Sequence, residues 1–82
     1  MLNLVTRVII YNAPNAGITS DLIEGLDKYQ LSELHESIRH AIERHRKESE
    51  DTTLSCRTRS RHESYANQLE RIARMVTFAR VS

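Results

Sequence analysis

Two stretches of this sequence place apolar residues at alternating steps of three and four. Leu31, Leu34, Ile38 and Ala41 lead to His45, and Tyr65, Leu69, Ile72 and Val76 lead to Ala79. At 3.6 residues per helical turn such steps keep the side chains on one stripe, and two stripes of equal length can bury each other. The pattern predicts an antiparallel helical hairpin stacking Leu31 on Ala79, Leu34 on Val76, Ile38 on Ile72, Ala41 on Leu69 and His45 on Tyr65. The turn then falls near Ser55. Ile42 broadens the first stripe toward the width expected of a helix that faces a globular core.

Local signals bracket both helices. Asp27 with Gln30 forms a capping box, and Leu26 with Leu31 forms the hydrophobic staple around it. Ser60 with Glu63 offers a second box. Between them Thr52, Thr53, Ser55 and Thr58 favour local side-chain hydrogen bonds over helix, so residues 51–59 are expected to form the connection. Upstream, Thr19 or Ser20 can cap a short helix carrying Leu22, Ile23 and Leu26, which Gly25 weakens.

The start of the chain has a different character. Residues 5–11 are rich in β-branched side chains and end at Tyr11, which predicts a strand. Asn12, Ala13, Pro14, Asn15, Ala16 and Gly17 then form a turn, with Gly17 able to supply positive φ. A lone strand leaves its backbone groups unpaired, so it requires a second strand from this chain or another copy. Residues 75–81 could supply one, because Met75, Val76, Thr77, Phe78 and Val81 suit a strand. That alternative is an α+β, β-α-α-β fold. The unbroken heptad through Val76 and Ala79 favours the mainly α reading, a hairpin with an extended N-terminal arm. Its divisions are an arm and turn over 1–18, an acidic helical segment over 19–50, the connection over 51–59 and a basic helix over 60–80.

Composition bounds what such a chain can do. Its 82 residues, 39% apolar, suffice for one small domain and exclude a multi-domain enzyme. The net charge of +1 conceals a net of −4 over residues 21–51 and of +4 over 52–82. Mutual neutralisation of the two blocks is the expected use of that asymmetry, fixing the antiparallel sense. Cys56 is the single cysteine and forms no internal disulfide; with no signal peptide and no apolar run of membrane-spanning length, a cytoplasmic protein is expected.

Few residues suggest chemistry. His35, His40 and His45 recur at steps of five and fan out around a helix, so they cannot meet at one ion. Only His45 could approach His62 and Cys56 at the hairpin tip; the plainer reading makes His45 a seam residue on Tyr65 and Cys56 a loop thiol, with no metal or cofactor. Arg57, Arg59 and Arg61 favour a Cys56 thiolate, yet no oriented base accompanies it and no phosphate loop or nucleophile elbow is present, so no enzymatic activity is expected. The same arginines could meet nucleic-acid phosphates.

A ribbon followed by two helices resembles the ribbon-helix-helix repressors, with residues 6–11 as ribbon, 20–29 as helix A and 32–42 as helix B. The resemblance covers about half the chain. It implies a dimeric DNA-binding regulator whose ribbon offers Thr6 and Arg7 as polar base readers. Tyr29, Gln30 and Leu31 leave almost no inter-helix turn, and the third segment has no counterpart in that family. The main expectation is a small, non-enzymatic interaction protein that homo-oligomerises and acts as an adaptor or inhibitor of a larger host protein, the form taken by proteins that phages and mobile elements encode. Val8 and Ile10 in the arm, with Met75, Phe78 and Val81 at the far end, are its expected contact residues.

Overall fold

The computed structural model of the chain describes residues 10–12 and 17–81. Three helices dominate: α1, Ser20–Glu24; α2, Lys28–Ser49; and α3, Cys56–Val81. Among the described residues there is no strand.

The start of α2 follows from its capping box. Asp27 Oδ1 accepts from the Gln30 backbone N–H at 2.8 Å, and Gln30 Oε1 accepts from the Asp27 N–H at 3.1 Å, so two end donors are satisfied reciprocally. At the start of α1 the Thr19 hydroxyl accepts from Leu22 N–H, a single capping bond. The helix stops at Gly25, which has φ −82° and ψ −3°. A methyl group there would lie 3.6 Å from the Asp21 and Leu22 carbonyls, in ordinary contact. Gly25→Ala should therefore stabilise the fold by about 0.4–1 kcal/mol through the unfolded chain; a lowered urea midpoint would refute this.

The buried residues follow the heptad register along α2 and, in α3, at Leu69, Ile72 and Val76, whereas Tyr65 and Ala79 are only partly buried and Ala66 joins the core. Leu31, Leu34, Ile38, Ala41 and His45 are the buried residues of α2, and Ala66, Leu69, Ile72 and Val76 those of α3. His45, late in α2, lies against Tyr65, early in α3, with ring centroids 5.3 Å apart, which sets the antiparallel sense. Helix α3 runs through residues 75–81, so the strand alternative is not adopted. Val76 becomes fully buried on the seam, and Thr77 bonds its hydroxyl to the Ala73 carbonyl at 2.9 Å, which suits a β-branched residue to a helix.

Three expectations are corrected. The second helix begins one turn before Ser60, because the Ser55 hydroxyl accepts from Thr58 N–H at 3.2 Å and the Ser55 carbonyl from Arg59 N–H at 2.9 Å. The connection thus shortens to residues 50–55, where Asp51 Oδ1 accepts from both the backbone and the hydroxyl of Thr53. Ile10 and Tyr11 are helical, and Ile10, expected to contact a partner, is only 2% exposed within the core. With Ile18 and Ile23 it lays the N-terminal segment onto the helix pair; each buried side chain contributes about 1.5–3 kcal/mol at most. Val8 and the ribbon residues Thr6 and Arg7 lie outside the described residues. The helix A assignment also fails, since α1 ends at Glu24 and Tyr29 lies within α2. Between the two long helices, Arg46 of the acidic segment pairs with Glu70 of the basic one, each the minority charge of its segment.

Candidate functional site

The hairpin tip gathers the polar side chains that the sequence left scattered. His45 sits one turn before the end of α2 and Glu48 three residues further on the same face; His62 faces them from the second turn of α3. His45 is 0% exposed, while Glu48 and His62 are half-buried. The two Nδ1 atoms of His45 and His62 are 2.8 Å apart, and His62 Nδ1 is 2.9 Å from Glu48 Oε2.

Tyr11 holds this cluster from outside. Its carbonyl lies 2.7 Å from His45 Nε2 and its hydroxyl donates to Glu48 Oε2 at 2.6 Å. The Tyr11 ring stacks on the His45 imidazole, with centroids 4.0 Å apart and planes 14° apart, and the Arg44 guanidinium lies 4.7 Å from its centre. Burial and the adjacent Glu48 carboxylate raise the Tyr11 hydroxyl pKa to about 12, against the opposing pull of Arg44.

The hydrogen positions follow from chemistry. A carbonyl only accepts, so His45 Nε2 must carry the hydrogen that Tyr11 receives. Burial lowers the His45 pKa, outweighing the Tyr11 carbonyl bond that raises it, so the ring is held neutral and its Nδ1 is a bare lone pair. His62 Nδ1–H then faces two acceptors at once, the His45 lone pair and the Glu48 carboxylate.

Of the tip candidates named from sequence, His45 and His62 do meet, whereas Cys56 is not part of the cluster. Cys56 is exposed at the first position of α3 and its Sγ accepts from Arg59 Nη2 at 3.3 Å. Glu48 takes the third place. Its signal was one more heptad step: three residues beyond His45 is Glu48, and three before Tyr65 is His62. The arginines do not share one face, since Arg57 and Arg61 lie one turn apart and exposed while Arg59 turns the other way and is half-buried.

The opposite end of the hairpin is apolar. Met75, Phe78 and Val81 are 44%, 73% and 79% exposed, as their off-seam positions predict. A groove of about 640 Å³ runs between α1 and α3, lined by Ile23, Leu26, Leu31, Met75 and Ala79, with Glu24 and Arg74 also at its wall. Phe78 lines this groove and also a shallower depression formed with Ala73, Thr77 and Val81, so it stands as a ridge between two hollows. No described helix is long and apolar enough to cross a membrane. Compared with family models, curated proteins and solved structures, the chain matches none.

Proposed function

We propose that the chain is a non-enzymatic protein-interaction module whose docking face is the groove between α1 and the last turns of α3. The observation that carries this reading is the exposed Phe78 ridge flanked by apolar hollows on one face. Its first occupant is a second copy of the chain. A twofold pairing sets each Phe78 into the other copy's groove, and it can bring Glu24 of one copy toward Arg74 of the other. Burying Phe78 and Met75 contributes about 1.5–3 kcal/mol for each side chain fully removed from water, before the cost of association. An adaptor or inhibitor role toward a larger protein would use the same face, with the partner's apolar helix displacing the second copy.

Sedimentation equilibrium tests this directly. The chain should be dimeric at tens of micromolar, and Phe78→Glu should be monomeric with unchanged helical circular dichroism. A wild-type chain that stays monomeric to millimolar concentration, or a Phe78→Glu chain that still dimerises, defeats the reading. The Arg57, Arg59 and Arg61 triple alanine variant should dimerise normally.

A further inference from the structure

We propose that His45, Glu48 and His62 form a binding site for a divalent first-row transition cation, of which zinc is the best match to the donor set. The inference is independent of the docking face, which lies at the other end of the hairpin.

The geometry begins with a surplus of lone pairs. His45 Nδ1, His62 Nδ1 and one Glu48 oxygen lie within 4.8 Å of one another. With Nε2 of His45 committed to the Tyr11 carbonyl, the hydrogen of His62 Nδ1 is shared between His45 Nδ1 and Glu48 Oε2, which also accepts from the Tyr11 hydroxyl. A dication in its place satisfies all three at once, and the displaced proton moves to His62 Nε2 or to solvent. Metal–ligand bonds of about 2.0–2.1 Å in a tetrahedral site hold ligand atoms roughly 3.3 Å apart. The observed separations of 2.8 and 2.9 Å therefore need to open by about half an ångström and the His45–Glu48 separation, within 4.8 Å, to close, through χ adjustments of half-buried Glu48 and His62.

The surroundings are those of a supported site. A metal-ligating histidine ordinarily donates its other ring N–H to a carbonyl or carboxylate, which fixes the tautomer and aims the lone pair. His45 does so through Tyr11, and the same residue's hydroxyl holds the Glu48 carboxylate. One residue thus orients two of the three ligands. Imidazole nitrogen with a single carboxylate suits zinc and its neighbours, whereas magnesium and calcium require oxygen-rich shells. The fourth position is left to water. Binding would tie α2 to α3 and, through Tyr11, to the N-terminal segment.

The test uses the full chain, stripped with chelator, and adds Co2+ as a spectroscopic probe and Zn2+ by competition with a chromophoric chelator. One equivalent of Co2+ should give a visible band of tetrahedral or five-coordinate intensity, which Zn2+ removes and Mg2+ does not. His62→Gln, and Glu48→Gln as the variant of conserved shape, should weaken Zn2+ binding at least a hundredfold while keeping the helical spectrum. Tyr11→Phe, which touches no metal, should weaken it about tenfold. Cys56→Ser and His40→Gln should bind as wild type. Lack of a cobalt band at millimolar metal, wild-type affinity in His62→Gln or Glu48→Gln, or loss of binding in Cys56→Ser would each overturn the proposal.

Discussion

Leu69→Ala should lower stability by about 3–4 kcal/mol, and the thermal midpoint by roughly 15–25 °C. Leu69 is 0% exposed in the centre of α3. The heptad spacing of the sequence pairs it with Ala41, also in the core, so truncation is expected to leave two small residues facing each other across the seam. Neither can fill the gap by a rotamer change, which puts the loss in the upper half of the usual range for a buried leucine. For a chain of 82 residues the whole stability is about 4–12 kcal/mol, so this one side chain accounts for a large share of it. Leu22→Ala on α1, where the side chain is already 39% exposed, should cost under about 1 kcal/mol. Denaturant unfolding of both variants decides the matter: comparable losses would show that the buried seam does not organise the fold.

The seam was legible because a period of three and four residues has few physical meanings, and tertiary structure had no reason to override it. Asp27 with Gln30 was legible for a similar reason, as both halves of the reciprocal bond lie within four residues. What escaped detection lay where polar residues continue an apolar pattern. Glu48 occupies the next layer after His45, opposite the already named His62, yet a pattern read through apolar side chains ends before it. The misplaced start of α3 had the same effect, since a helix beginning at Ser60 puts His62 in its fraying first turn, and only the Ser55 cap places it on the seam. Residues 10 and 11 failed differently. Their β-branched and aromatic character favours a strand in isolation, but Ile10 has a core to enter and Tyr11 a histidine to stack on, and such contacts outweigh propensity. Charge blocks do not specify individual pairs: Arg46–Glu70 uses the minority charge of each helix, whereas Glu48 faces His62 in the sense of the blocks. Net charge describes a segment, whereas an ion pair depends on which residue occupies one position.

Tyr11→Ala should cost about 2–3 kcal/mol and Tyr11→Phe about 1–2 kcal/mol, both measured on chelator-treated protein. The phenylalanine variant keeps the stack on His45 and removes only the hydroxyl bond to the Glu48 carboxylate, whose charge makes that bond stronger than a neutral one. The alanine variant loses the ring as well, but retains the backbone carbonyl that receives His45 Nε2–H. Its cost stays below that of a fully buried aromatic because the Tyr11 side chain is only half-buried. A pH titration separates the two contributions. The folded-state pKa of about 12 lies above the ordinary tyrosine value of 10.0, so the folded chain holds the hydroxyl proton more tightly than the unfolded one. The stabilisation from the hydroxyl is then complete below pH 10 and is lost as the pH rises toward 12. Urea midpoints of the wild type and Tyr11→Phe should accordingly differ at pH 8 and converge across that window. A gap that persists unchanged at the alkaline end would mean that the hydroxyl acts by something other than its bond to Glu48. The tip would then have to be held by the Tyr11 ring and carbonyl alone.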